Sequence, residues 1–146
     1  MSRWILATTL VLAGCDAADP RLIPDEVLQS ELGLTAADRV HTISLVGGLS
    51  ERADPDSLSV LQGDFIQFVS ADWLVHEVEF AVGDASGDRG GFLSRTGQAA
   101  SPPLLQMGSR FVLSLAGAPP GAYPFALRGN GAPGHGVIVV REPEGR

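Results

Sequence analysis

The sequence predicts an all-β protein, a Greek-key β-sandwich of about seven to eight short strands preceded by a leader and a short tether. Three observations carry that prediction. From residue 39 onward apolar residues recur at every second position, the period of a strand with one buried face. Clusters of Gly, Pro and Asp separate these rows and supply the turns. Helical spacing appears in one short stretch only, before residue 39, which leaves little room for a helical layer.

The elements can be justified in order. Arg3 precedes an apolar run from Trp4 to Val11, and Leu12-Ala13-Gly14-Cys15 closes the run with small residues before the one cysteine of the chain. A positive start, a short apolar middle and small residues at the end read as a secretory signal, too short to span a bilayer. The closing residues resemble the bacterial lipobox. That resemblance implies cleavage after a signal peptide of residues 1–14, acylation of Cys15, and a mature chain held by lipid on the outer side of a membrane of the bacterial cell envelope. Residues 15–37 then read as a lipid-anchored tether, acidic and broken by Pro20 and Pro24. Within it Val27, Leu28 and Leu32 stand at helical spacing between Asp25 and a stop at Gly33.

The domain proper is expected over residues 38–146. Ile43 and Leu45, then Leu58 and Val60, then Ile66 and Phe68 form the first inward rows. Gly47-Gly48, Asp54-Pro55-Asp56 and Gln62-Gly63-Asp64 turn the chain between them. In the next strand His76, Val78 and Phe80 share one face and Glu77 and Glu79 the other, so a histidine is aimed inward. A Gly-rich polar excursion over residues 83–101 follows. Phe111, Leu113 and Leu115 form another inward row, as do Tyr123, Phe125 and Leu127. Val137 to Val140 reads as a strand buried on both faces. His41 reads as an exposed strand residue with no role.

Charge and composition narrow the function classes. The 146 residues carry a net charge of -7, and all ten basic residues are arginines. Loss of residues 1–14 would remove Arg3 and leave the mature chain at -8. Such a chain is unsuited to nucleic acid, and without lysine it has no polybasic patch for anionic lipid. A single cysteine excludes an internal disulfide. No serine lies in a Gly-x-Ser-x-Gly turn, and none is paired in sequence with a base, so an enzyme is not expected. Asp84, Ser86 and Asp88 are spaced like the opening of a calcium loop, but the closing carboxylate position falls on Arg95, so the segment reads as a surface loop.

The order of these features resembles the cupredoxins, the plastocyanin and azurin group of blue-copper proteins, over roughly residues 38 to 142. The residues that carry the resemblance are Val60-Leu61-Gln62-Gly63-Asp64, then Asp72 with the inward His76, Val78 and Phe80, then Gly121-Ala122-Tyr123-Pro124-Phe125 and the closing Gly136-Val137-Ile138-Val139. In that family copper is held by one histidine and then by Cys, His and usually Met on a late loop. Position by position, His76 matches the first histidine. Leu127 stands where the family has its Cys ligand, Asn130 where it has the second histidine, and His135 where it has the axial methionine. A blue-copper site requires a thiolate with two imidazoles, and leucine has no electron pair to donate.

The resemblance with these departures implies a membrane-anchored cupredoxin-like binding or accessory module that lacks a type 1 copper site and needs no cofactor. Its partners would be the membrane, through lipid on Cys15, and an envelope protein docking at the end that carries His76 and Trp73. The alternative is a copper-binding protein for storage, delivery or electron transfer, with a weak metal site built from His76 and His135 and completed by Asn130 or Asp72.

Overall fold

The computed structural model describes residues 19–82 and 87–145. The expectations for the signal peptide, for lipidation of Cys15 and for a calcium-like opening at residues 84–86 lie outside the described residues. Eight strands form two four-stranded sheets that pack as a sandwich: β1 (Val40–Val46), β2 (Arg52–Asp54), β3 (Ser57–Leu61), β4 (Phe65–Ser70), β5 (His76–Phe80), β6 (Arg110–Ser114), β7 (Gly121–Gly129) and β8 (Gly134–Arg141). One sheet has the order β2-β1-β4-β6 and the other β3-β8-β7-β5. The β1–β4 and β3–β8 pairs are parallel and the rest antiparallel.

The inward rows meet between the sheets because only that arrangement removes both apolar faces from water. Ile43, Leu45, Ile66, Phe68 and Leu113 of one sheet close against Val60, Val78, Phe80, Tyr123, Phe125, Leu127 and Ile138 of the other. Each such side chain contributes about 1.5–3 kcal/mol on full burial. Phe68 lies at the centre, edge-on to Phe80 and Phe125 and stacked on Phe111. Val137 and Val139 are only half-buried. The apolar run in β8 reads as covered on both faces, whereas among the described residues only its inward side chains, Ile138 and Val140, are buried.

Four further findings depart from the sequence reading. A helix, α2 (Asp88–Arg95), stands inside the Gly-rich excursion and buries Phe92 and Leu93, with Phe92 edge-on to Tyr123. The short strand β2 was not expected at all. His41 is buried rather than exposed, at 9% of its accessible surface, with its Nε2 2.8 Å from Asp64 Oδ2. The segment before β1 is packed on the domain from Asp19 onward. In it α1 (Glu26–Leu32) is capped by Asp25, which accepts from the Leu28 N–H, and stops at Gly33 in the left-handed conformation. Leu28 and Leu34 cover Val40, Phe65 and Val112 on the outer face of the first sheet.

The strands run between two poles. β1 rises from Val40 at the lower pole to Val46 at the upper, and β4 runs beside it in the same direction. The β3–β4 turn and the β6–β7 connection close the lower pole, where the Gly63 N–H donates to Leu115 O and the Leu115 N–H to Asp64 O. The upper pole carries His76.

Candidate functional site

Four connections meet at the upper pole: residues 47–51, 71–75, 104–109 and 130–133. Backbone hydrogen bonds stitch them together. The Glu51 N–H donates to Ala132 O at 2.8 Å, the Ala132 N–H to Leu49 O at 3.0 Å, and the Gly108 N–H to Ser70 O at 2.8 Å. His76, the first residue of β5, lies beneath them with no exposed surface and exchanges backbone hydrogen bonds with Leu104.

The His76 ring is engaged at both nitrogens. Nδ1 lies 2.6 Å from Glu51 Oε2, and Nε2 lies 2.7 Å from Asp72 Oδ1. Each contact needs a hydrogen between the two heavy atoms, since facing lone pairs repel. The three groups therefore hold two protons among them, whichever atoms carry them. Glu51 is 2% exposed, and burial of a carboxylate is tolerated only with partners. Besides His76, its Oε1 receives the Gly131 N–H at 3.5 Å. Asp72 is a connector of a different kind. Its Oδ2 accepts from the Gly47 N–H at 2.8 Å and its Oδ1 from the Leu74 N–H at 2.9 Å. Partial burial pushes the Asp72 carboxyl up, but the hydrogen bonds from Gly47, His76 and Leu74, with the charge of His76, together outweigh it and hold the carboxyl below its ordinary value.

Glycines make this packing feasible. A Cβ at Gly129, which pairs with His76 across β5 and β7, would collide with the Glu51 carboxylate, and one at Gly134 would collide with the Glu51 backbone carbonyl. At Gly47 a Cβ would meet Leu74 Cδ1 at 2.8 Å and Glu51 Oε1 at 3.2 Å. The side chain of Glu51 thus fills the space under the connections from the β1–β2 side.

The remaining sequence-predicted positions are not gathered around that ring. Leu127 is fully buried, facing inward opposite Val78. Asn130 is exposed beyond the end of β7. His135 is exposed on β8 opposite Ala126, on the outer face of its sheet, where it lines a shallow groove with Glu79 and Arg128. The outer face of a sheet cannot share a ligand sphere with a side chain on its inner face. The donors present do not fit a trigonal thiolate–imidazole copper site: the hydrocarbon of Leu127 has no donor atom, and both nitrogens of His76 are already taken. Among the described residues no group of three or more His, Cys, Asp or Glu is arranged to hold a metal ion.

Around the rim of this pole the surface is apolar. Leu49 is 99% exposed, Trp73 72%, Leu105 61% and Met107 49%. The inward period of β5 identified His76, and Asp72 came from its place before the strand. Glu51 was missed, because it sits in a polar turn with no period and lies 25 residues from its partner. The one signal pointing to it is that an inward histidine requires a buried partner.

No protein-family model and no curated protein matches the chain. Solved structures do. The copper-containing nitrite reductase of Thermus scotoductus matches with a TM-score of 0.52 and 23% identity over 76% of this chain and 24% of that one. A mutant of amicyanin in its Cu(I) form matches with a TM-score of 0.50 and 19% identity over 72% of this chain and 85% of that one. The chain has a cupredoxin-like fold. Among the described residues no helix is long and apolar enough to cross a membrane.

Proposed function

We propose that this is a lipid-anchored binding module of the bacterial envelope, in which a cupredoxin-like sandwich presents its upper pole to a protein partner and holds no type 1 copper. The observation that carries the reading is the Glu51–His76–Asp72 arrangement. The imidazole that would begin a ligand set is spent on two carboxylates, the thiolate position is Leu127, and the space beneath the connections is filled. A buried, fully hydrogen-bonded polar cluster fixes the positions of the segments that contribute to it. Here those segments carry Leu49 and Trp73, so the cluster holds an exposed apolar rim in a set shape. A Trp that is 72% exposed beside other exposed apolar side chains suits a protein interface. His76 has no exposed surface from which its ring could reach a substrate, which favours a binding role for this pole.

Copper handling at His76 and His135 is the competing reading, and the test separates the two. The soluble domain, begun after Cys15, is titrated with Cu(II) by calorimetry. The expected result is no submicromolar binding that depends on His76. Submicromolar binding abolished by His76→Ala would overturn the proposal. Lipid attachment is checked separately, by the mass of the mature amino-terminal peptide.

A further inference from the structure

Seven large apolar side chains are exposed among the described residues, and they fall into two sets. Leu49, Trp73, Leu105 and Met107 ring the upper pole. Ile23, Val27 and Leu32, at 41%, 48% and 49% exposure, lie on the segment that leads into β1. We infer that this second set is the membrane-facing surface: with Cys15 acylated, the lipid bilayer lies against the Ile23–Leu32 side of the domain, and the Trp73 pole stays in water, free for a protein partner. The inference rests on the proposed acylation of Cys15 and specifies what that anchor does to the domain.

Chain length carries the argument. Asp19 lies against the domain: with Leu22 it lines a recess beside His41, Thr42 and Leu58, and the turn over Pro20–Leu22 packs on β1. From Cys15 to Asp19 are four residue steps, which span at most about 14 Å fully extended. The seven residues of β1 alone span about 23 Å, and Asp19 lies beside their lower half while Trp73 lies beyond their upper end. The bilayer surface is therefore held within one short tether of Asp19, which stands four residues before Ile23 in the segment that carries the exposed apolar set.

Charge leaves the attachment point in control. The mature chain has nine arginines against 17 acidic residues, a net charge of -8 that gives the domain as a whole no attraction to anionic headgroups. α1 is itself acidic, with Glu26 and Glu31, while Asp25 is paired with Arg110 at 2.9 Å. It would not bind lipid unaided. Held there by acyl chains, its apolar side chains enter the headgroup region.

Trp73 is the one tryptophan left after cleavage, since the other is Trp4. The full acylated chain is reconstituted in phosphatidylcholine vesicles that carry bromine on the acyl chains, association is confirmed by flotation, and tryptophan emission is compared with unbrominated vesicles. In the natural chain the emission should be unchanged. In the double variant Trp73→Phe with Val27→Trp it should fall roughly twofold or more, as for a ring at the boundary of headgroup and acyl chain. Ile23→Trp in place of Val27→Trp repeats the test if the first variant fails to fold. Quenching of Trp73, or unquenched emission from positions 23 and 27 on floated vesicles, would overturn the inference. Absence of the acyl group from the peptide mass would remove its premise, and that outcome is read independently of the quenching.

Discussion

Two histidines of this domain rest on carboxylates, one at each pole, and the contrast between them shows what a polar cluster contributes to a sandwich. At the lower pole His41 makes one contact, Nε2 to Asp64 at 2.8 Å, while Asp64 also accepts from the Leu61 N–H and lies 3.8 Å from Arg39. These partners belong to strands and a tight turn that main-chain hydrogen bonds already hold. At the upper pole His76 uses both nitrogens, and its partners Glu51 and Asp72 lie in connections between strands. There the side chains supply positional information that the sheets do not. The lower cluster trims a turn, and the upper one determines the shape of a surface.

The largest expected difference follows from removing one partner at each pole. Glu51→Ala leaves a wholly buried imidazole without its Nδ1 partner and opens a void, so it should destabilise by about 3–5 kcal/mol. Asp64→Ala strips a histidine that retains some access to water and should cost about 1–3 kcal/mol. Urea denaturation of both variants checks this. Equal losses would mean that the two clusters do the same work.

The glycines sharpen the same contrast. Gly129 is needed for space, since a Cβ there would run into Glu51 and the Val75 backbone, and overpacking of this kind costs about 1–3 kcal/mol. Gly63 at the lower pole has nothing within 4 Å but a φ of +94°, so Gly63→Ala should cost about 1 kcal/mol through conformation alone. The decisive combination is Glu51→Ala with Gly129→Ala. It should be less destabilised than the sum of the single variants, because the shortened side chain vacates the space the new Cβ needs. Strict additivity would show that Gly129 is not kept for Glu51.

Much of this architecture was legible in the sequence because the strands advertise themselves. The rows Ile43/Leu45, Ile66/Phe68 and Tyr123/Phe125/Leu127 each have one buried face, and period two is a local signal. α1 was legible through Asp25, Leu28 and Gly33, although Val27 and Leu32 remain exposed. α2 was hidden because Gly90 and Gly91 lower its intrinsic helicity, and the burial of Phe92 and Leu93 against the core overrides that preference. At the site, His76 announced itself by facing inward, while Glu51 is supplied by a distant turn and leaves no periodic trace. His135 matches the axial-ligand position of the cupredoxin pattern, and that resemblance implies a place near His76. The strand it belongs to begins at Gly134, and register turns its side chain to the outer face. His41 shares the inward parity of Ile43 and Leu45, so its burial follows the same period, while Val40 on the opposite face is buried because Leu28 and Leu34 cover it.

Trp73 offers a control. It is 72% exposed at the pole that Glu51 braces, so Trp73→Ser should change stability by no more than about 0.5 kcal/mol while removing the one aromatic ring of the apolar rim. A larger loss, read from the same urea curves, would mean that the ring closes the core and is not offered to a partner.

The smallest effect is one of pH, and it too separates the poles. The folded Asp72 carboxyl is held below its ordinary value of 3.8, so the unfolded chain takes up the proton first as the solution is acidified. The stability that Asp72 contributes is fully present above about pH 4 and is lost as pH falls through its lower folded value. Protonated Asp72 can no longer accept from the Gly47 and Leu74 N–H groups and the His76 ring together, and these bonds hold the connection that carries Trp73. Below pH 3.8 Trp73 emission should therefore shift while the near-ultraviolet signal of buried Tyr123, whose hydroxyl donates to Pro119 O near the lower pole, stays native. In Asp72→Asn the early Trp73 step should vanish and leave a single transition. Coincident loss of both signals in the natural chain would show that acid opens the whole sandwich at once, and that Asp72 does not hold the upper pole as a separate unit.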